Sequence, residues 1–362
     1  MKTWIRRGAL VFVMIALVAV AFPAWKPLVR KSRWYVIASN VGQDSLRRLG
    51  WKSDQIDQGA TAAPPDSQIA PQIARMHSVY EKYLRYSGTA RADVAGRRVL
   101  ELGPGFTMTV PLLFAADGAS YVVGIDKFVP FQTGPYYQKF YSRLRDTLTP
   151  AQQARYDRAL RQDTLALNPA VAGYVYKKEL QNVVSDLGPE SYDLIVSNAV
   201  MEEIYDPAPV LEAQGKLLRP GGAMVHMIDL RDYGMFSNRG FHPLEFLTVS
   251  DWIYRRMVEG SGQPDRRMMG YYREAAARMG YESQIYITHI LGHPDPMPEP
   301  KAQIRKGIDY SDADLKLVAD IRPRLQPQFR NLPDTELLAQ SIIFVARKAP
   351  MGAGEADRSP GR

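Results

Sequence analysis

Three residues around a predicted strand-to-helix turn have the types and spacing to hold a bound metabolite. The predicted strand RVLEL ends in Gly103-Pro104-Gly105, which gives the pattern Glu101-x-Gly103-x-Gly105 and opens a helix. Glycine at such a turn lets the backbone approach a ligand that would collide with a Cβ atom. The dinucleotide fingerprint requires a third glycine where this chain has Met108, and Pro104 lacks an N–H group. The turn therefore does not favour a pyrophosphate at the helix N-terminus.

A second acidic residue follows the next predicted strand. The segment VVGI ends in Asp126, 21 residues after Gly105, which suits a strand–helix–strand unit. A carboxylate at the end of the second strand can accept hydrogen bonds from both hydroxyls of a ribose. Each acid also has a purely structural alternative: Asp126 could cap a helix, and Glu101 could be a surface carboxylate at a strand end.

Two further segments complete a pattern that extends over residues 97–230. The fourth predicted strand continues as YDLIVSNAVMEEI, and LLRPGG forms the turn before the fifth strand. Together with LELGPG and GIDK, these segments resemble the motifs of the class I S-adenosylmethionine-dependent methyltransferases in order and spacing, and SIIFVARK at 341–348 extends the likeness. The pattern is most similar to the methyltransferases of saccharide and small-molecule pathways. The resemblance implies S-adenosyl-L-methionine as the cofactor.

The resemblance also assigns roles to residues at the strand ends. It places Glu101, Gly103 and Gly105 against the methionine part of the cofactor, where a side chain at position 103 would project into the cofactor's path. It implies that Asp126 binds the ribose hydroxyls. The other implied contacts are Lys127 and Phe128 at the adenine edge, and Asn198 and Ala199 near the sulfonium. For the adenine amine, the candidates after the third strand are Glu179, Gln181, Asn182 and Asp186.

The base for a hydroxyl acceptor is predicted among Asp229, Glu203 and His242, whereas an amine or carboxylate acceptor needs no strong base. Relatives often have Glu-His where this chain has Glu202-Glu203, so their mechanism does not transfer directly. Ligands bind outside the carboxyl ends of such strands. The acceptor-site candidates at the exit of the fifth strand are Asp229, Arg231, Asp232 and Tyr233. The expected acceptor is a small molecule, a saccharide or a lipid-linked compound.

Composition and charge exclude several other classes of protein. The chain has 362 residues, of which 46% are hydrophobic, so it can bury a large core. It has no cysteine, and its five histidines lack metal-ligand spacing, so no metal site is predicted. Residues 1–33 carry seven basic side chains and no acid, which accounts for all but one of the +8 net charge. A nucleic-acid partner is therefore not expected, and the sequence indicates no particular oligomeric state.

Residues 9–25 form an uncharged apolar run of 17 residues with basic flanks. The run could be a spanning anchor, a cleaved export signal or a helix lying in the membrane interface. S-adenosylmethionine is made in the cytosol, so the resemblance favours an uncleaved anchor. The protein is then attached to the membrane through this N-terminal helix, with its catalytic domain on the cytoplasmic face.

Alternating strands and helices must position these residues. They predict an α/β fold with a doubly wound, mostly parallel seven-stranded sheet. The expected domains are an anchor with basic flanks (1–33), a linker and helical arm (34–95), a methyltransferase-like domain (96–349) with an insertion at 291–337, and a disordered tail (350–362). A helix capped by Asp66 or Ser67 and a long helical region at 136–167 are also expected. Two other functions remain open: a non-catalytic binding module at the membrane, and a nicotinamide oxidoreductase.

Overall fold

The computed structural model describes residues 31–49, 64–260, 262 and 264–350. Its seven-stranded sheet has the order β3-β2-β1-β4-β5-β7-β6. The strands are β1 (Arg98–Leu102), β2 (Tyr121–Asp126), β3 (Ala172–Tyr176), β4 (Tyr192–Asn198), β5 (Leu218–Asp229), β6 (Glu282–Ile290) and β7 (Ala339–Arg347). Only β7 runs antiparallel to its neighbours in this described sheet. The predicted seven-stranded, mostly parallel α/β sheet is confirmed.

Helices connect most of these strands. They are α1 (Arg33–Arg48), α2 (Ile69–Ser87), α3 (Thr109–Ala116), α4 (Pro135–Asp146), α5 (Pro150–Ala159), α6 (Val184–Leu187), α7 (Ala208–Leu217), α8 (Asp251–Val258), α9 (Met269–Arg278), α10 (Asp312–Ile321), α11 (Pro327–Arg330) and α12 (Asp334–Leu338). None of these helices is long and apolar enough to cross a membrane. The predicted anchor at 9–25 lies outside the described residues, as does the predicted tail at 350–362 from residue 351 onward.

The described chain divides into two compact units. The small unit comprises residues 31–49, 231–260, 262 and 321–331, and the large unit comprises the remaining described residues, including all seven strands. This division differs from the continuous domain predicted over 96–349. Within the small unit, α1 packs against α8, which brings together segments about 200 residues apart in the chain.

Two predicted helices differ from the structure at their ends. Helix α2 follows a 3₁₀ turn at Asp66–Gln68 and has no side-chain cap, so the predicted capping by Asp66 or Ser67 is wrong. Helix α2 ends before Gly88, which adopts the left-handed conformation that terminates helices. The long helical region is two helices, since Thr149 forms a capping box ahead of Pro150 and starts α5 anew.

The position of β1 determines where a ligand can bind. β1 pairs with β2 on one side and β4 on the other, so the connections that follow β1 and β4 diverge at their carboxyl ends. A crevice forms at such a switch point in an open α/β sheet. Helix α2 packs near it, with Tyr80 edge-on to Phe114 of α3 at a ring-centroid distance of 4.7 Å.

Candidate functional site

The carboxyl ends of β1, β2 and β4 bring together the residues predicted to hold the cofactor. Glu101 lies opposite Gly124 of β2 and Val196 of β4 in the strand register. Asp126 and Asn198 are the last residues of β2 and β4. The sheet topology therefore gathers the predicted cofactor residues at one edge.

The glycine turn after β1 depends on left-handed backbone conformations. Gly103 has φ +68° and Gly105 has φ +69°, and residues other than glycine rarely adopt this backbone conformation. A Cβ atom on Gly103 would overlap the Val200 side chain, whereas one on Gly105 would have nothing within 4 Å. A side chain at position 103 would therefore meet Val200 first, and its effect on the cofactor's path stays a prediction. The open space lies at Gly105.

Met108, which replaces the third glycine of the dinucleotide fingerprint, has a packing role. A Cβ atom on Gly124 would lie 2.5 Å from the Met108 sulfur and 2.7 Å from Pro104 Cγ. The turn residues thus rest directly on the backbone of β2, and Met108 is fully buried there. This close approach fixes the height of the glycine turn above the sheet.

Glu101 is buried, and its carboxyl group has no counter-charge among the described residues. Its side chain is 5% exposed. Burial in a low-dielectric environment disfavours the ionised form and raises the pKa of Glu101 to about 8. The alternative of a surface carboxylate is therefore wrong. A cationic group placed beside Glu101 would offset the cost of ionising it.

Tyr83 of α2 is a site residue that the sequence analysis missed. Its hydroxyl is buried without a hydrogen-bond partner in the described part of the chain. Burial raises the pKa of this hydroxyl, and the charge of Glu101 adds to the rise. The spacing of apolar residues along α2 indicates only a core residue at this position. The signal for more was the hydroxyl itself, because buried tyrosines usually find a partner.

Asp126 combines a structural role with a free capacity to bind. Its Oδ1 atom accepts hydrogen bonds from the backbone N–H groups of Phe128 (2.8 Å) and Val129 (2.7 Å). Burial raises the pKa of Asp126, and these bonds, with one from the Gly105 N–H, partly oppose the rise. The carboxylate therefore shapes its own loop, and the alternative that it caps a helix is wrong, because the next helix begins at Pro135. An ionised carboxylate has about four lone-pair sites, so Asp126 can still accept hydrogen bonds from the ribose hydroxyls.

Tyr174 of β3 links the two loops that flank the crevice. Its hydroxyl group lies 2.5 Å from the Val129 carbonyl oxygen and 3.3 Å from the Gly105 carbonyl oxygen. These two hydrogen bonds join segments 69 and 45 residues apart in the chain, so the sequence does not indicate them.

Lys127 and Glu179 form an ion pair between the loops that follow β2 and β3, with Nζ 2.6 Å from Oε1. Lys127 also lies over the Phe128 ring, 5.3 Å from its centroid. Among the four candidates after the third strand, Gln181 and Asn182 both donate to Oε2 of Glu179. Asp186 lies on the separate short helix α6. The predicted adenine edge is thus polar.

Ala199 is exposed and has a positive φ of 54° directly after Asn198. Non-glycine residues rarely adopt this conformation, and such strain concentrates at functional sites. The Ala199 N–H donates to the Met227 carbonyl oxygen at 2.9 Å, which holds the strained residue in place. Its place beside the methyl path stays a prediction.

Glu203 and Asp229, two of the predicted bases, lie at neighbouring strand ends of the large unit. Glu203 ends the 3₁₀ turn that follows β4, and Asp229 ends β5. Both are half-buried. The intervening acid, Glu202, is buried and accepts a hydrogen bond from the Asp229 N–H at 3.0 Å. Glu202 therefore positions the end of β5.

The small unit contains His242, the third predicted base, and Asp232. The Nδ1 atom of His242 accepts a hydrogen bond from the Leu244 N–H at 3.0 Å. In the neutral ring the proton is then on Nε2, which donates rather than accepts. The Asp232 carboxylate accepts from the N–H groups of Gly234, Phe236 and Ser237 and from the Ser237 hydroxyl. Asp232 organises its own loop and is not free to bind an acceptor.

His226 is a fully buried residue of β5. Its Nδ1 lies 2.8 Å from the Ser197 hydroxyl. Burial lowers the pKa of His226 to about 3, so its ring is neutral at physiological pH.

Residues 73–282 match the methyltransferase domain family, and this segment is more than half of the chain. The protein belongs to this family. No curated protein matches the chain. The family match, with the motifs at the strand ends, favours methyl transfer over nicotinamide redox chemistry.

Several solved methyltransferase structures are similar in fold. An S-adenosylmethionine-dependent methyltransferase from Mesorhizobium loti has 17% identity and a TM-score of 0.36, covering 70% of this chain and 92% of that one. Phosphoethanolamine N-methyltransferase 2 from Haemonchus contortus has 11% identity and a TM-score of 0.40, covering 75% and 52%. An arsenic(III) S-adenosylmethionine methyltransferase from Chlamydomonas reinhardtii has 17% identity and a TM-score of 0.36, covering 80% and 76%. The family assignment rests on the domain match.

The residues present fit S-adenosylmethionine, which is the cofactor. The buried Glu101 carboxyl would gain a partner in the amino group of the methionine part. The space at Gly105 admits the cofactor's close approach to the backbone. Asp126 supplies acceptors at the end of β2 for the ribose hydroxyls.

The two glycines of the turn give a matched pair of substitutions. Gly105→Ala incurs left-handed strain of about 1–2 kcal/mol and places a methyl group in the open space, so we expect cofactor binding to be lost. Gly103→Ala adds the overlap with Val200, an overpacking cost of about 1–3 kcal/mol. Urea denaturation and calorimetry with S-adenosylhomocysteine measure both effects. Val200→Ala should partly rescue the stability of Gly103→Ala; rescue of Gly105→Ala instead would contradict the assignment.

Glu101→Gln should stabilise the ligand-free protein at high pH. Ionisation of the buried carboxyl penalises the folded state from its ordinary pKa of 4.5 up to about 8. The variant should therefore gain about 2–4 kcal/mol at pH 8 and nothing near pH 4.5. Denaturant titration at both pH values measures the difference. The exposed Glu282→Gln is the control, and an equal gain in both variants would show that burial of Glu101 is not the cause.

Two substitutions at Asp126 separate its binding role from its loop role. Asp126→Asn keeps an Oδ1 acceptor for Phe128 and Val129 but loses the charge. We expect it to weaken S-adenosylhomocysteine binding about 10- to 150-fold, with little change in thermal stability. Asp126→Ala should also lower stability, because the loop amides lose their acceptor. Unchanged affinity in the Asn variant, measured by calorimetry, would leave Asp126 with the loop role alone.

Proposed function

We propose that this protein is a membrane-tethered S-adenosylmethionine-dependent methyltransferase, with its catalytic domain on the cytoplasmic face and a small-molecule, saccharide or lipid-linked acceptor. The observation that carries the methyltransferase part is the buried Glu101 carboxyl beside the open glycine turn. The tether is supported by the apolar run at 9–25 with its basic flanks.

The chain's residues act mainly by positioning. When bound, S-adenosylmethionine supplies a methyl group already activated on a sulfonium. The protein must hold an acceptor atom about 3–3.5 Å from that carbon and exclude competing water. Asn198 and Ala199, between β4 and the turn with Glu203, are the residues proposed to line the methyl path.

For a hydroxyl acceptor, Asp229 and Glu203 are better candidates for the base than His242. Both carboxylates follow strands at the edge that holds Glu101 and Asp126. A carboxylate accepts a proton in its ionised form, whereas the acceptor nitrogen of neutral His242 is already engaged by Leu244. Amine and carboxylate acceptors would use the same crevice without either base.

An anchored enzyme that acts on a membrane-delivered acceptor gives three linked expectations. Full-length protein should remain in membranes after high-salt and carbonate washes, because the apolar run and not Lys26, Arg30 or Lys31 would hold it. Washed membranes given methyl-labelled S-adenosylmethionine should then transfer label to an organic-extractable fraction. Protease added outside intact cells should leave residues 34–362 uncut.

A binding-deficient variant provides the control for this experiment. Membranes with Asp126→Asn should hold the same amount of protein and transfer less label. Label in the aqueous fraction would indicate a small-molecule acceptor and overturn the lipid-linked option. A mature N-terminus near Phe22, with the domain outside the cytoplasm, would overturn the anchor.

A further inference from the structure

The small unit exposes two tryptophans at one end of a pair of helices. Trp34 of α1 is 68% exposed, and Trp252 of α8 is 69% exposed. Each is the second residue of its helix. Exposed apolar side chains that cluster on a surface mark sites of interaction with a protein or a membrane, whereas isolated ones need no explanation.

Contacts at both ends show that α1 and α8 lie side by side in the same direction. Near the N-terminal ends, the Arg33 guanidinium contacts Glu245 at 2.9 Å and the Thr248 hydroxyl at 2.8 Å. At the C-terminal ends, the Gly260 N–H donates to Asp44 at 2.7 Å. Trp34 and Trp252, in the first turns, therefore lie at the same end of the pair.

This end of the helix pair is also basic. The Arg33 guanidinium lies 5.8 Å from the Trp34 ring centroid, and that of Arg256 lies 5.4 Å from the ring centroid of Trp252. Across its described residues the small unit has eleven Lys and Arg against five Asp and Glu, whereas the large unit has 27 against 29. The acids here are Glu245, which is buried and paired with Arg33 and Arg324, and Asp251, which accepts a hydrogen bond from Gln328.

Tryptophan next to cationic side chains is the composition that favours the interface of an anionic bilayer. Seven residues, 26–32, separate the apolar run from the first residue of α1. Even fully extended, they place the Trp34 end of α1 within about 30 Å of the end of that run.

We propose that the end of the small unit bearing Trp34 and Trp252, with Lys31, Arg33 and Arg256, docks on the headgroups of an anionic phospholipid membrane. The inference rests on the proposed tether for the position of the membrane. Docking adds a second attachment point, so the small unit is held against the surface where a lipid-linked acceptor would be found.

The absence of cysteine from the chain permits a direct test. Full-length Trp252→Cys protein, labelled with an environment-sensitive fluorophore, is reconstituted into phosphatidylcholine vesicles with or without phosphatidylglycerol. We expect nitroxide lipids with shallow labels to quench it several-fold more in the anionic vesicles. The matched control is Ile308→Cys, an exposed apolar position (64%) of the large unit, which should be quenched weakly in both.

Charge reversal and salt complete the test. Adding Arg256→Glu to the Trp252→Cys chain should reduce quenching in anionic vesicles, with unchanged circular dichroism. Equal quenching at positions 252 and 308, or quenching that is indifferent to lipid charge, would overturn the docking surface and point to a protein partner. If carbonate releases the protein but salt-sensitive quenching at 252 persists, the tether is wrong and the docking surface stands.

Discussion

Burying the Glu101 carboxyl without a counter-charge costs free energy that the ligand-free protein does not recover. The cost follows from the position of Glu101. Its strand β1 is an inner strand of the sheet, and its charge acts on the buried Tyr83 hydroxyl of α2. A cation in the crevice recovers this free energy by stabilising the ionised form. In the role we propose for Glu101, specificity for the amino end of the cofactor is built into the stability of the fold, and a more stable protein with glutamine here would bind less well.

Close backbone approach makes that arrangement geometrically feasible. Gly124 lets Pro104 and Met108 lie on β2, while Gly103 leaves room for Val200 from the β4 side. Tyr174 then joins the Gly105 and Val129 carbonyls. The loops after β1, β2 and β4 pack together here, and a Cβ atom on Gly105 would still meet nothing within 4 Å. A preorganised site of this kind loses little conformational freedom on binding.

Elements that a short stretch of sequence specifies could be predicted, whereas features that depend on contacts between distant parts of the chain could not. Alternating apolar strands and the glycine turn identified the sheet and the placement of Glu101 and Asp126. The contact of a side chain at 103 with Val200 could not be predicted, because Val200 lies almost 100 residues later in the chain. Tyr83 was missed because helical periodicity does not show what a hydroxyl faces. Asp232 looked available from the sequence, because no sequence pattern shows that its carboxylate binds the N–H groups and the hydroxyl of its own loop.

The distribution of charge on the folded protein also could not be predicted from the sequence. Along the sequence, the basic excess belongs to residues 1–33, and the rest is nearly neutral. Folding redistributes this balance, because α1, α8 and residues 321–331 come together into one unit whose cations outnumber its acids by six. Three of those acids, Asp44, Asp232 and Glu245, are buried, so they contribute little to the field outside. The large unit is slightly acidic and contains Glu101 and Asp126. In the docking that we propose, attraction to an anionic surface acts on the small unit, while the buried Glu101 carboxyl of the large unit stays available to the cofactor.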